Sequence, residues 1–209
     1  MWSHCINLCR TYLCHKTHRF IKKRFFSQCQ AFRKEVAESC KKHNADLAFF
    51  NGGGTGNLEQ VSQDDAVSEV TAGSGFLQGQ LFDYYRANFC QPACCFALQC
   101  TRLNSQYLCC QSGGFIAGGS VSADKCPTPF ANPYKLKAYP DEGFGEVQTP
   151  LQIVARKADQ EEITLGDPVF FRPAKSGEIA EHFEHYILKR QYDIVNIVPT
   201  YRGMGKIFH

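Results

Sequence analysis

A glycine cluster constrains the fold of this chain more than any other sequence feature. The apolar residues 48 to 50 end at the run Asn51-Gly52-Gly53-Gly54-Thr55-Gly56. Glycine adopts positive φ angles without a steric penalty, so such a run can turn several backbone N–H groups toward one hollow that suits a phosphate. The run lacks the Lys-Ser/Thr pair of a P-loop and the spacing of a dinucleotide fingerprint. It therefore indicates either a different kind of phosphate cradle or a sharp turn after a strand.

The segments around the glycine cluster have the pattern of an α/β protein. Residues 27 to 43 carry apolar side chains at helical spacing, and residues 45 to 50 are expected to form a short buried strand that ends at the glycine loop. A second strand is predicted within residues 66 to 75. Helix, strand and then loop is the order found in α/β barrels and open α/β sheets, whose ligands bind at the carboxyl ends of the strands.

The second half of the chain has the pattern of an all-β unit. Short apolar runs predict strands at 93–103, 106–111, 151–155, 169–172, 186–189 and 194–199. Five prolines between residues 124 and 150 indicate a long loop or a boundary there. The predicted fold class is α+β in three segments, which are a disordered basic arm at 1–27, an α/β portion at 28–90 and a β-domain at 91–209.

Charge is concentrated at the start of the chain. Eight lysines and arginines precede the first acidic residue, Glu35, although the net charge is only +3. The remainder of the chain is therefore not expected to bind nucleic acid, and no apolar run approaches the roughly 20 residues that cross a bilayer. We predict no nucleic-acid partner, no membrane partner and a cytoplasmic location. Targeting to an organelle by the basic arm is the alternative.

Twelve cysteines in 209 residues require an explanation. A disulfide scaffold is disfavoured because no signal peptide is evident and the chain is long enough to fold without cross-links. The adjacent pairs Cys94-Cys95 and Cys109-Cys110 lie in strand-like runs, where one member of each pair should face a core. In the arm, zinc binding remains an alternative for Cys5, Cys9, Cys14, His15 and His18, although these residues lack the paired short spacings of zinc modules.

Five motifs occur in an order that resembles one enzyme family. They are residues 51–56, 68–75 with Leu81-Phe82-Asp83-Tyr84, 142–150, 166–178 and 199–203. Together they look like the C-terminal part of the amino acid deaminase/aldolase branch of the D-threonine aldolase and D-serine dehydratase family. The resemblance covers about residues 28 to 209. It implies the last strands of an incomplete alanine-racemase-like barrel, which includes Glu69, followed by a D-serine dehydratase-like β-domain.

The resemblance implies a cofactor, pyridoxal 5′-phosphate (PLP), with its phosphate at Gly53, Gly54, Thr55 and Gly56. The family also needs a lysine that forms a Schiff base with PLP on the first barrel strand. That strand has no counterpart in this chain. Lys34, Lys41 and Lys42 precede the glycine loop, which is the wrong end of the barrel for this role.

A second departure from the family concerns metal. D-threonine aldolases and D-serine dehydratases resemble each other in placing metal ligands within the β-domain, where this chain has Pro173 and Lys175. Proline offers no ligand atom and lysine repels a cation, so we expect no metal. Arg172 and Lys175 are the candidates for the substrate side, and Lys175 also fits a solvated strand end. The histidines His182 and His185 are expected to be surface or core residues.

The sequence therefore predicts a truncated relative of the PLP-dependent D-amino-acid lyases, inactive by itself. The predicted partner is a second copy of the chain or a polypeptide that completes the barrel. The alternative is a non-catalytic interaction module built on the β-domain.

Overall fold

The computed structural model describes residues 15–45, 47–83, 91–119, 122–157 and 160–207. Tyr84 of the second motif and Cys5, Cys9 and Cys14 of the proposed zinc cluster lie outside these ranges. The chain divides into two compact units, residues 1–73 and 74–209. The three segments predicted from the sequence, with boundaries after residues 27 and 90, are a different division and stay a prediction.

The first unit contains one long helix and a small parallel sheet. Helix α1 (His15–Lys42) is followed by β1 (Asn51–Gly52), a 3₁₀-helix (Thr55–Asn57), α2 (Leu58–Val61) and β2 (Glu69–Val70). Strands β1 and β2 pair in parallel. Helix α1 begins twelve residues before its predicted start, so residues 15 to 27 belong to it rather than to a disordered arm. It ends at Lys42, and two residues later Asn44 has a φ of 56°, a left-handed conformation that stops helices.

The strand before the glycine loop differs from its prediction. Residues 45 to 50 were expected to be buried, but Leu47 is 45% exposed and Phe49 is 62% exposed, and the strand itself is only β1. The reason is the size of the sheet. Within the described part of residues 15–73, β2 is the only strand that pairs with β1, so no further layer covers these side chains.

The second unit is built on a six-stranded antiparallel sheet. Its strands are β3 (Phe96–Leu103), β4 (Tyr107–Gln111), β5 (Thr128–Pro129), β6 (Tyr134–Ala138), β7 (Gln148–Arg156) and β8 (Pro168–Arg172). The strand order is β5-β8-β3-β4-β7-β6. The edge strands β5 and β6 approach within 8 Å between Cα atoms, so the sheet is a nearly closed barrel. Helix α3 (Gly177–His182) and a hairpin of β9 (His185–Arg190) and β10 (Asp193–Pro199) complete the unit.

Alternation along the strands builds the core of this unit. Phe96, Leu98 and Cys100 of β3 point inward, and Phe171 of β8 stacks on Phe96 with 5.5 Å between ring centroids. Cys110 belongs to the same core, as the sequence pattern predicted for one member of each cysteine pair. The eight cysteines that the structure describes are free thiols.

The proline-rich segment differs from its prediction as a loop or boundary. It contains both β5 and β6, which are the two edges of the six-stranded sheet. Pro129 is tolerated in β5 because an edge strand leaves N–H positions that need no partner, whereas Pro133 and Pro140 flank β6 and Pro150 lies in the interior strand β7. Among the described helices, none is long and apolar enough to span a bilayer.

Candidate functional site

The glycine loop leaves the carboxyl end of β1 with two glycines in conformations that other residues avoid. The φ angles are 110° at Gly53 and 154° at Gly54. A Cβ on Gly53 would lie 3.0 Å from Val70 Cγ1 and 3.3 Å from the Thr71 carbonyl oxygen, so only glycine fits there without displacement of β2. A Cβ on Gly54 would meet only Asn57 Oδ1, at 3.6 Å. The loop is therefore packed on β2 at Gly53 and open at Gly54.

Several backbone N–H groups of this loop are available as hydrogen-bond donors. Among the described residues, the N–H groups of Gly53, Gly54 and Thr55 donate to no other group, whereas the Asn57 N–H already donates to the Gly54 carbonyl at 3.0 Å. Thr55 is half-buried and adds a side-chain hydroxyl to the loop. Adjacent N–H groups that have no acceptor within the described residues are available to an anion.

Strand β2 holds the loop in place through side chains. The Asn51 amide donates to Glu69 Oε1 at 2.6 Å and to Thr71 Oγ1. The Ser68 hydroxyl accepts the Phe50 N–H at 2.8 Å. Glu69 thus begins β2 beside the loop, and its carboxylate is bonded to Asn51. These contacts fix the two strands from which the glycine loop departs.

In the second unit, Arg172 is the last residue of β8. It is buried, and its side chain donates four hydrogen bonds. Its Nε and Nη2 donate to the Gln78 carbonyl at 3.0 and 2.7 Å, and its Nη1 and Nη2 donate to Asp83 Oδ2 and Oδ1 at 2.8 and 2.6 Å. Four of the five N–H groups of the guanidinium are therefore engaged within the protein. Its role on the substrate side stays a prediction.

Lys175 lies three residues further along, next to the loop at Gly118. Its Nζ donates to the Gly118 carbonyl at 3.5 Å, and the Gly118 N–H donates to Glu178 Oε1 at 3.1 Å. The other carboxylate oxygen of Glu178 is buried without a hydrogen-bond partner among the described residues. Lys175 is half-buried, so its ammonium group remains accessible to a second acceptor.

Pro173 and Lys175 are the residues that the sequence resemblance predicts at the place of the family's metal ligands. Pro173 is fully buried, and its carbonyl accepts the Gln80 N–H at 3.0 Å. His182 is exposed and packs against Phe115 with ring centroids 5.0 Å apart and the rings tilted by 44°, and His185 is exposed on β9. Within the described ranges there is no group of three or more metal-ligating side chains.

Sequence reasoning did not find the partners of these residues. Asp83 and Gln78 bind Arg172 across 89 and 94 residues of chain, and Glu178 reaches the Gly118 loop across 60 residues. The only local signal was the motif that contains Asp83, which the family resemblance noted without a role.

The comparisons with known proteins bear on the fold. No protein-family model matches the chain, and no curated protein matches it. Among solved structures, the fold is similar to that of the D-threonine aldolase from Filomicrobium marinum, with a TM-score of 0.67 and 15% sequence identity over 86% of this chain. The chain spans about half of that aldolase, 48% of its length. The predicted likeness to this group of enzymes is thus supported at the level of the fold.

Proposed function

We propose that this chain is a relative of the PLP-dependent D-amino-acid deaminases and aldolases, which are lyases, and that Gly53, Gly54, Thr55 and Gly56 hold the phosphate of PLP. The observation that carries the proposal is the set of three backbone N–H groups, at Gly53, Gly54 and Thr55, that have no acceptor in the described part of the chain. When bound, PLP supplies an electron sink for breaking a bond at the α-carbon of an amino acid.

The residues of the loop fit a phosphate by their chemistry. A dianion is best held by several short N–H and O–H donors, and bulky side chains would keep it away from the backbone. The Thr55 hydroxyl adds a donor, and the open space beside Gly54 leaves room for the phosphate oxygens. The two hydrogen bonds from Asn51 to β2 preorganise the loop before a ligand binds.

The proposal includes completion of the barrel by strands from another polypeptide or from another part of a longer chain. Phe50 and Gly52 direct their hydrogen bonds to β2, so Asn51 between them directs its backbone N–H and C=O to the opposite edge of β1. That edge has no strand beside it within the described residues. The exposed side chains of Leu47 and Phe49 adjoin it and would be covered by an added layer.

This chain by itself is proposed to lack activity because none of its lysines lies at the position of the family's Schiff-base lysine. Lys34, Lys41 and Lys42 belong to α1, which precedes the glycine loop. Arg172 and Lys175 are proposed for the substrate side of a completed enzyme, with Lys175 neutralising a substrate carboxylate. No metal is part of the proposal because Pro173 and Lys175 stand where the family's ligands stand.

The test uses pyridoxine 5′-phosphate, which has the phosphate of PLP but no aldehyde and therefore does not react with surface lysines. Titration calorimetry should show saturable binding at least tenfold tighter than that of pyridoxine. The variant Gly53→Val should lose at least tenfold in affinity, because its side chain would meet Val70 and Thr71. Gly118→Ala is the control and should bind normally, since a Cβ at Gly118 meets nothing within 4 Å. Equal affinity for the two ligands, or an unaffected Gly53→Val variant, would refute the phosphate site.

The second candidate function is a non-catalytic interaction module. The observation that favours it is that the β-unit has a complete hydrophobic core of its own, formed from β3, β4, β7 and β8. A module of this kind needs no ligand at the glycine loop. Treatment with PLP and borohydride distinguishes the two functions, because a reduced lysine adduct at one defined site would exclude the module.

A further inference from the structure

Two buried cysteines lie directly opposite each other at the centre of the six-stranded sheet. Cys100 of β3 is in register with Cys110 of β4, and these two strands are the central pair of the sheet. The exposed fractions of the two residues are 1% and 0%, and both belong to the hydrophobic core. Side chains directly opposite each other on antiparallel strands lie on the same face. Cys100 and Cys110 are therefore neighbours within the core.

The backbone hydrogen bonds show that these cysteines form the closer of the two kinds of antiparallel pair. The Cys100 N–H donates to the Asp167 carbonyl at 2.9 Å, and the Cys100 carbonyl accepts the Gly166 N–H at 2.8 Å. Both groups thus point away from β4. An opposed pair that exchanges no backbone hydrogen bonds has its Cα atoms about 4.5 Å apart, and disulfides span Cα separations of about 4.4 to 6.8 Å. The register therefore suits a disulfide between the two strands.

The next residue, Cys109, differs from Cys110 in its surroundings. It is 3% exposed and lies on the same strand, but successive side chains of a strand point to opposite faces. Across the sheet it faces Arg102 on β3 and Pro150 on β7. Cys109 is therefore about as buried as Cys110, but the residues opposite it are not cysteines.

We propose that Cys100 and Cys110 are a redox modification site, which holds two thiols under reducing conditions and forms a disulfide when the chain folds under oxidising conditions. The oxidant is a low-molecular-weight disulfide, such as oxidised glutathione. The thiolate of one cysteine attacks the S–S bond of the oxidant and releases one thiol, and the second cysteine then attacks the mixed disulfide and releases the other. Two electrons pass to the oxidant, and the two cysteine protons end on the released thiols.

The disulfide is expected to form during folding rather than in the folded chain. Burial raises the pKa of Cys110 to about 12 and also raises the pKa of Cys100, and buried protonated thiols react slowly. In the unfolded chain both thiols are accessible, and the pairing of β3 with β4 then brings them together. The site differs from a disulfide scaffold, because the core of the β-unit is complete with both thiols free. The proposal does not depend on the PLP site.

The test refolds the whole reduced chain from urea in a buffer of oxidised and reduced glutathione, at a low protein concentration that disfavours links between molecules. Remaining thiols are blocked with N-ethylmaleimide, and tryptic peptides are analysed by mass spectrometry without reduction. Trypsin cleaves after Arg102 and so separates Cys100 from Cys110. The expected main product is a disulfide between peptides 87–102 and 103–125.

Cys109→Ala is the matched control for Cys110→Ala, because both cysteines are buried in β4 and lie in the same tryptic peptide. Cys110→Ala should lower the yield of the linked peptides roughly tenfold or more, whereas Cys109→Ala should retain most of it, since only Cys110 lies opposite Cys100. The oxidised wild type should also melt about 4 °C or more above the reduced one, because the link restricts the unfolded chain.

Three results would overturn the proposal. They are the absence of the linked peptides after refolding, an equal yield from Cys110→Ala and Cys109→Ala, and a melting temperature of the oxidised wild type that is no higher than that of the reduced one. If Cys110→Ala does not refold, fragmentation of the linked wild-type peptides identifies the bonded residues. A bond through Cys109 instead of Cys110 would then rule out the site.

Discussion

Asp83 and Arg172 are 89 residues apart in the chain and form a bidentate ion pair. The distances are 2.8 Å from Nη1 to Oδ2 and 2.6 Å from Nη2 to Oδ1. The side chain of Arg172 is 9% exposed and that of Asp83 is 45% exposed. The same guanidinium also binds the Gln78 carbonyl, so Arg172 joins the end of β8 to residues 78–83 near the start of the second unit.

This arrangement predicts that Arg172 contributes more to stability than Asp83 does. Arg172→Met removes two donors from a buried carbonyl and should lower the free energy of unfolding by about 2 to 3 kcal/mol. Asp83→Asn keeps an acceptor at a solvated position and should cost less than about 1 kcal/mol. Urea unfolding followed by circular dichroism measures both. An Arg172→Met variant as stable as the wild type would contradict this contribution to stability.

Local patterns predicted the strands of the β-unit but not the contacts between them. The alternation of Phe96, Leu98 and Cys100 is visible in the sequence because a strand buries every second side chain. The same alternation exists at Tyr134, Leu136 and Ala138 of β6, where the surrounding prolines suggested a loop instead. Prolines mark an edge strand as readily as a loop, and only the pairing with β7 distinguishes the two.

The candidate site was predictable only where its chemistry is local. The glycine loop is one continuous segment, so its positive φ angles at Gly53 and Gly54 follow from composition. The engagement of Arg172 depends on Gln78 and Asp83, and the buried oxygen of Glu178 depends on the path of the loop at Gly118. Such contacts between distant segments leave no periodic signal in a single sequence.

A second ion pair should stabilise the first unit. Arg33 Nη1 on α1 lies 2.8 Å from Asp64 Oδ2, and the two side chains are 17% and 4% exposed. In Arg33→Met, the buried Asp64 carboxylate keeps the Ala66 N–H as its hydrogen-bond donor but loses its charged partner. This change should lower the free energy of unfolding by roughly 2 to 4 kcal/mol.

The matched control for this prediction is the next residue. Lys34 is 75% exposed and lies 3.9 Å from Glu38 in an i,i+4 pair. Lys34→Met removes a surface pair of small value and should change stability by less than about 0.5 kcal/mol. Denaturant midpoints of the two variants provide the comparison. Similar losses of stability in the two variants would show that the Arg33–Asp64 ion pair contributes no more than a surface pair.

Gly113 should tolerate no side chain. Its φ is 128°, and a Cβ there would overlap the Thr149 hydroxyl, which donates to the Ser112 carbonyl at 2.6 Å, and would lie 3.0 Å from Leu98 Cδ1. Gly113→Ala should therefore cost about 2 to 4 kcal/mol. Gly118→Ala has open space and should cost under about 1 kcal/mol. Thermal unfolding of the two variants side by side tests the difference, and equal melting temperatures would contradict it.

Stability should also fall at alkaline pH, because burial raises the pKa of two core thiols above their ordinary value of 9.0. The pKa of Cys94 is raised to about 11 and that of Cys110 to about 12, in both cases mainly by burial. Burial also raises the pKa of Tyr186 and Tyr201. Below pH 9 these thiols are protonated in the folded and the unfolded chain, so their contribution is complete. Above pH 9 the unfolded chain loses protons that the folded chain keeps, which favours unfolding.

Each such thiol should lower the free energy of unfolding progressively as the pH rises above 9, up to about pH 11 for Cys94 and about pH 12 for Cys110. Urea unfolding at half-unit steps measures this slope. Cys110→Ala should reduce the slope because it removes one titrating group. Leu108→Ala creates a cavity on the same strand and should lower stability at every pH without changing the slope. An unchanged slope in Cys110→Ala would show that this thiol does not titrate differently in the folded chain.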